Sequence, residues 1–143
     1  FSLPSGKPLM PRYATRIEKL ETKGSSLDYG LERARRNTPD GTSDAVVSFL
    51  ANIALDIRLE QIRDGGRMSQ EANNAAFSDR IKVPVLILSG GKDTVISDEM
   101  HNALTSAFPV AEQIVFPDAG HASFAECPEK YHAEIIKFAN KTG

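Results

Sequence analysis

The chain has 143 residues, of which 41% are hydrophobic and 25% are charged, and its formal net charge is −2. This composition is typical of one soluble globular domain, and the slight negative charge argues against a general nucleic-acid binder. No apolar run approaches the roughly 20 residues that cross a membrane, and one cysteine, Cys127, excludes a disulfide within the chain. No basic segment followed by a long apolar stretch marks a signal peptide, so we expect a soluble protein and favour the cytoplasm.

Residues 1–80 read as helical, without a convincing strand. The spacing predicts a first helix from Arg12 to Lys23, stopped by Gly24, and a second from Leu27 to Arg36. The Asn-Thr-Pro-Asp-Gly run at 37–41 is a strong turn signal that ends the second helix. The opening is a poor helix former because it carries three prolines, Pro4, Pro8 and Pro11.

A third helix has the clearest pattern. Thr42 or Ser43 can cap it, and the helix is expected to run until Gly65-Gly66. Its apolar positions follow roughly helical spacing: Val46, Phe49, Leu50, Ile53, Ile57 and Leu59. Another short helix is expected within Met68–Ser78. These apolar faces, with Met10, Leu20 and Leu27, either line a pocket or pack a core, and core packing is the more frequent reason for such stripes.

Residues 81–143 alternate strand and helix. Val83 to Leu88 is a continuous apolar run, as expected of a strand covered on both faces. Ser97 can cap a helix that ends near Phe108, Gln113–Phe116 reads as a short strand, and Pro128 suits the start of a last helix. This order implies parallel strands with crossover helices. Two strands are too few for a stable sheet, so we expect further strands to come from elsewhere.

The ordered motifs of residues 81–143 resemble the C-terminal end of the α/β-hydrolase fold. The matching features are an Ile-x-Val-Pro-Val-Leu-Ile-Leu strand at 81–88, Gly-x-x-Asp at 90–93, Gly-His at 120–121 and Glu-x-Pro-Glu at 126–129. In that family an acid follows the penultimate strand and a histidine follows the last one. The resemblance therefore implies that Asp93 is the triad acid and His121 the triad base, and that residues 1–80 form a helical cap or lid.

The implied chemistry is a Ser-His-Asp hydrolase acting on an ester, lactone, amide or related acyl bond. A histidine titrates near neutrality and can take the serine proton and return it to the leaving group, while the carboxylate fixes its tautomer. Three alternatives stay open: an acyltransferase on the same scaffold, a non-catalytic ligand-binding receptor, and a relative with an aspartate nucleophile. The residue at the nucleophile position separates them.

The chain lacks a credible nucleophile. The family's elbow is Gly-x-Ser-x-Gly on a strand-to-helix turn, and Gly41-Thr42-Ser43-Asp44-Ala45 is a near match without a preceding strand. We interpret Ser43 as a helix cap; the serines in Pro4-Ser5-Gly6 and Gly24-Ser25-Ser26 also lack a strand. We therefore expect an N-terminal α/β-hydrolase polypeptide, cleaved from this one or absent from this sequence, to bring the nucleophile and the oxyanion donors. Cleavage within the lid is favoured, because a two-stranded remnant would expose a large apolar face.

Other polar residues have weaker patterns. Asp118 lies only three residues before His121 and reads as a turn residue, and Ser89-Gly90-Gly91-Lys92 lacks the Walker spacing of a phosphate loop. His101 and His132 sit on expected helices without a ligand pattern, and Cys127 reads as a packing or cap-adjacent residue. We therefore expect no metal and no cofactor, and a small acyl compound as the substrate.

Overall fold

A computed structural model describes residues 10–24, 26–72 and 74–143. The first part is helical: α1 (Pro11–Lys23), α2 (Leu27–Asn37), α3 (Asp44–Ile53) and α4 (Leu59–Glu71), followed by a 3-10 helix at Asn74–Arg80. The second part alternates strand and helix: β1 (Leu86–Gly90), α5 (Asp98–Ala107), β2 (Glu112–Phe116), α6 (Ser123–Glu126) and α7 (Pro128–Thr142). The opening prolines Pro4 and Pro8, like Ser5 and Ser25, lie outside the described residues.

Serine side chains cap the N-termini of three helices. The hydroxyls of Ser26, Ser43 and Ser97 each accept a hydrogen bond from the backbone N–H three residues later, which satisfies a donor that the helix itself leaves open. Proline occupies the first position of α1 and of α7, where its missing N–H costs nothing. Four predicted helices are confirmed to within a residue or two. They correspond to α1, α2, α5 and α7.

The prediction of one long third helix is wrong. α3 ends at Ile53, a turn follows, and α4 begins at Leu59, where the Gln61 side chain accepts from the Arg58 N–H at 2.8 Å. Gly65 and Gly66 lie inside α4 and do not end it. Gly66 faces α1, and a Cβ there would stand 3.0 Å from the ring of Tyr13. The predicted Met68–Ser78 helix is divided between the end of α4 and the 3-10 helix.

Two buried clusters explain why this helix divides. One holds α1, α2 and α4 together through Leu20, Tyr29 and Ile62. The other holds α2 to α3 through Ala34, Val47 and Ala51. Because α3 packs on α2 at Ala34, whereas α4 packs on α1 and on α2 at Tyr29, a single straight helix could not bury both apolar faces.

The two strands are adjacent and parallel, as predicted, and are joined by α5. Their register runs from Leu86 opposite Glu112 to Gly90 opposite Phe116. β1 starts three residues later than predicted, after Pro84, which has no backbone N–H to give to a partner strand. Both strands end at the same edge of the sheet, so the loops that follow Gly90 and Phe116 emerge side by side.

Candidate functional site

The loop after β1 holds Asp93 in a fixed orientation. The N–H groups of Gly91 and Lys92 donate to the carbonyls of Phe116 and Ala119, both at 2.8 Å, and so bind this loop to the one after β2. One carboxylate oxygen of Asp93, Oδ1, accepts from the N–H of Val95 at 2.7 Å and of Ile96 at 3.0 Å. The second oxygen, Oδ2, is thereby turned toward the neighbouring loop.

His121 meets that second oxygen. Its Nδ1 lies 3.0 Å from Asp93 Oδ2, while the Asp93 side chain is 13% exposed and the His121 side chain 38% exposed. Burial would raise the pKa of Asp93, but the hydrogen bonds from His121 and from the Ile96 and Val95 amides outweigh burial, so this pKa lies below its ordinary value. A charged carboxylate on Nδ1 favours the tautomer that carries a proton there. No described residue hydrogen-bonds to Nε2, which can therefore act as a base.

Glu126 secures the loop on both sides of His121. Its Oε2 accepts from the Gly120 N–H at 2.8 Å, and its Oε1 accepts from the Ala122 N–H at 3.0 Å. Charge-assisted bonds of this kind are stronger than neutral ones. The carboxylate therefore fixes the backbone that presents the imidazole.

Gly90 allows the two loops to approach each other. A Cβ at this position would stand 2.1 Å from the Gly120 carbonyl oxygen and 2.5 Å from that of Ala119. No side chain fits at such distances, so the end of β1 requires glycine for the His121 loop to close over it.

The C-terminal end of α2 also contacts both loops. The His121 N–H donates to the Asn37 carbonyl at 3.1 Å, and the Thr94 hydroxyl lies 3.4 Å from the Arg36 carbonyl. A Cβ on Gly120 would stand 2.7 Å from Pro39 Cδ. The helical part of the chain is therefore packed directly on the Asp93 and His121 loops.

Three cavities share His121 as a lining residue. One of about 320 Å³ runs along β1 and α5 and also touches Asp93. A second, of about 510 Å³, lies between α1, α2 and the Asp93 loop, and a third, of about 200 Å³, lies between α2 and α3. The imidazole is thus accessible from several sides.

The structure gives the other candidate residues ordinary surroundings. The Ser43 hydroxyl caps α3, as interpreted from the sequence, and Ser89 is a strand residue of β1. Asp118 is 90% exposed and accepts from Lys92 at 2.9 Å, a bond that lowers the pKa of its carboxyl. His132 lies edge-on to the Tyr131 ring.

The remaining candidates, His101 and Cys127, form no hydrogen bond with Asp93 or His121 among the described residues. His101 lines the cavity along β1. The Cys127 thiol donates to the Ser123 carbonyl at 3.2 Å, and burial raises its pKa, which disfavours the thiolate. Within the described ranges, no group of three or more His, Cys, Asp or Glu side chains could hold a metal ion. Helices long and apolar enough to span a membrane are likewise lacking in the part of the chain that the structure describes.

Sequence reasoning missed two parts of this arrangement. Glu126 was noted as part of a motif, but nothing in the sequence indicates that its carboxylate turns back to the amides of Gly120 and Ala122. The contact from Asn37 was missed as well, because it joins residues 84 positions apart, from Asn37 to His121.

Among protein families, the model for the alpha/beta hydrolase fold matches residues 33–128. Among curated proteins, a provisionally named carboxymethylenebutenolidase of Yersinia pestis is 53% identical over 55 residues, which are 36% of this chain and 21% of the relative. The AB hydrolase superfamily protein YisY of Bacillus subtilis is 37% identical over 60 residues, 42% of this chain and 22% of the relative.

Solved structures match over more of the chain. An esterase from Thermogutta terrifontis, solved with malate bound, superposes with a TM-score of 0.75 at 22% identity, over 95% of this chain and 53% of its own. The enol-lactonase from Burkholderia xenovorans LB400 gives 0.75 at 19% identity, over 90% and 50%. The chain thus spans about half the length of these structures and about a fifth of the curated relatives.

Proposed function

Because this chain belongs to the alpha/beta hydrolase family, we propose that Asp93 and His121 are the acid and the base of a Ser-His-Asp hydrolase that cleaves an ester or lactone. The observation that carries the proposal is the 3.0 Å contact between Asp93 Oδ2 and His121 Nδ1, with the other carboxylate oxygen held by two amides. The names of the relatives, a carboxymethylenebutenolidase, an esterase and an enol-lactonase, support esters and lactones as the substrate class.

The mechanism follows from the two ring nitrogens. His121 Nε2 takes the proton of an attacking serine hydroxyl. Asp93, in contact with Nδ1, stabilises the imidazolium ring that results. The serine oxygen bonds to the scissile carbonyl carbon and gives a tetrahedral intermediate. When this intermediate collapses, the carbon–oxygen bond to the leaving group breaks, the leaving oxygen takes the proton from Nε2, and an acyl-enzyme remains. Water then attacks the acyl-enzyme with His121 as its base, which releases the acid and restores the serine.

The nucleophile and the oxyanion donors belong, in this proposal, to an N-terminal segment or polypeptide of the same fold. Ser43 is an unsuitable nucleophile because it caps α3 and follows a turn, whereas the elbow requires a strand before the serine. This chain covers only about half the length of the solved neighbours, which is consistent with a further segment of the same fold. Residues 1–80 would then act as the lid over the substrate.

The test uses the complete protein, with the N-terminal segment present, and 4-nitrophenyl esters and small lactones as substrates. His121→Ala is expected to lower kcat by about 10³-fold or more, because the nucleophile loses its proton acceptor. His132→Ala is the matched control, since this exposed histidine of α7 lies outside the site, and it should keep kcat within about twofold. A His121→Ala enzyme with more than about a tenth of wild-type turnover would contradict the assignment.

A further inference from the structure

Four arginines line the cavity of about 510 Å³ that reaches His121. They are Arg12 and Arg16 of α1 and Arg33 and Arg36 of α2. The lining also includes Val95 and Ile96, whose N–H groups orient Asp93. Four arginines therefore share one cavity with the proposed base, His121.

These arginines form no ion pair with a carboxylate of the described chain, residues 10–24, 26–72 and 74–143. The nearby acid on α2, Glu32, is occupied by Lys19 and Lys23, which lower its pKa to about 2. Arg35, on the other side of α2, is paired with Asp44.

Two of the four are only partly exposed and have unsatisfied donors. Arg16 Nε and Arg33 Nη1 are buried and have no hydrogen-bond partner. Burial and the charge of Arg16 lower the pKa of Arg33, although the Tyr29 hydroxyl acts in the opposite direction. Burying a cation without an anion is costly, and like charges placed together add to the cost. An anion in the cavity would offset both.

Arg33 is the best placed of these arginines. It lines both the cavity of about 510 Å³ and the one of about 200 Å³, and His121 lines both as well. The smaller cavity is otherwise mostly apolar, with Leu50, Ile53 and Ile57 among its lining residues. A ligand between the two cavities would meet an apolar wall, a guanidinium and the imidazole together.

We infer that this site selects acyl substrates that carry a carboxylate, which Arg33 and Arg16 bind while the scissile carbonyl lies toward His121. The inference rests on the proposed function. A guanidinium matches a carboxylate because its planar N–H groups donate two parallel hydrogen bonds. The neutral part of the acyl chain would occupy the apolar wall of the smaller cavity.

The test compares three 4-nitrophenyl esters in the complete protein. Their acyl chains have equal length and end in a carboxylate, a carboxamide or a phosphonate. Wild-type kcat/KM should be highest for the carboxylate ester. Arg33→Gln should lower kcat/KM for that ester by about 10- to 100-fold, and for the carboxamide ester by less than about threefold, because only the charged group loses a charge-assisted bond. Arg35→Gln, which removes the same charge two residues away, should change both by less than about twofold.

Several outcomes would overturn the inference. Equal wild-type rates on the carboxylate and carboxamide esters would remove the selectivity, and a preference for the phosphonate ester would identify a different anion. An equal loss on both esters in Arg33→Gln would make the arginine structural, for example paired with a carboxylate elsewhere in the complete protein. If Arg33→Gln does not fold, Arg33→Lys and Arg16→Gln must show the same selective loss, or the inference fails.

A binding measurement separates this inference from the proposed function. Calorimetry with glutarate as the probe should show binding to the wild-type protein and at least about tenfold weaker binding to Arg33→Gln. Binding of glutarate without hydrolysis of any ester would keep the anion site and reject the hydrolase. Hydrolysis of all esters without binding of glutarate would keep the hydrolase and reject the anion site.

Discussion

The two carboxylate oxygens of Asp93 have different roles. Oδ1 is fixed by two backbone amides of its own loop, and Oδ2 faces His121. This division orients the imidazole without requiring a second side chain. It also explains why an acid at this position in the loop is suitable: the turn after β1 supplies the amides that hold it.

Asp93→Asn in the complete protein tests that role. The amide oxygen of asparagine can still accept from Val95 and Ile96, so the melting temperature should change by only about a few degrees. The amide nitrogen would then donate to His121 Nδ1 and favour the wrong tautomer, and kcat should fall by about 10³- to 10⁴-fold. Asp118→Asn, an exposed acid near the same histidine, should leave kcat within about twofold. Near-normal turnover in Asp93→Asn would show that this acid does not orient the base.

The site residues that could be predicted from the sequence are those whose position is determined by the order of strands and helices along the chain. Asp93 and His121 each follow a strand, and parallel strands bring the residues that follow them to one edge. Glu126 and Arg33 could not be assigned in this way, because their contacts depend on how a loop turns back and how α1 packs on α2. Neither the spacing nor the charge of these residues distinguishes them from ordinary surface positions.

At the scale of the elements, α2 connects the helical part of the chain to the site. Its C-terminal carbonyls accept from Thr94 and from the His121 N–H, and its side chains form one wall of two cavities. A change in the position of α2 would therefore alter both the His121 loop and the space for a ligand.

Glu126→Ala measures how much the His121 loop depends on its carboxylate clamp. Two partly buried N–H groups would lose a charged acceptor, which should lower the free energy of unfolding of the complete protein by about 2 kcal/mol. Turnover should fall by about tenfold or more, because the imidazole is less well positioned. Glu129→Ala, in the first turn of α7, is the matched control and should change stability by less than about 1 kcal/mol. If Glu126→Ala and Glu129→Ala have the same free energy of unfolding and the same kcat, the Glu126 carboxylate does not fix the His121 loop.

The sequence predicted the existence of most elements better than their limits. Its clearest error, the single third helix, arose because the apolar spacing continues through the turn at 54–58. Two glycines were expected to end that helix, yet Gly66 lies within α4 because Tyr13 of α1 packs where a side chain would be. Tertiary packing determines both the break between α3 and α4 and the position of Gly66 inside α4. The periodicity of apolar residues alone does not reveal this packing.

At the scale of the whole molecule, the strand–helix part is poorly covered. Neither α5 nor α7 has a buried residue, and apolar side chains remain exposed on the sheet and its flanks: Val83 at 70%, Val115 at 53% and Ile136 at 60%. Among the described residues no third strand pairs with β1 or β2. In the proposed arrangement, an N-terminal segment supplies the missing strands and covers these surfaces.

Residues 1–143 expressed alone should therefore be molten or aggregated. We expect weak near-ultraviolet circular dichroism, strong binding of a hydrophobic dye and no cooperative unfolding, because the exposed apolar sheet lacks its covering strands. Co-expression with the N-terminal polypeptide should restore a cooperative transition and esterase activity. A monodisperse 143-residue monomer that unfolds cooperatively would contradict this expectation.

The most direct measurement is covalent labelling of the nucleophile in the complete protein with a fluorophosphonate, followed by peptide mapping. The proposed function predicts one labelled serine, N-terminal to this chain within a Gly-x-Ser-x-Gly sequence, and loss of the label in His121→Ala. Label on Ser43, or on any other serine of residues 1–143, would contradict a nucleophile supplied from outside this chain. Labelling that persists unchanged in His121→Ala would contradict the role of His121 as its base.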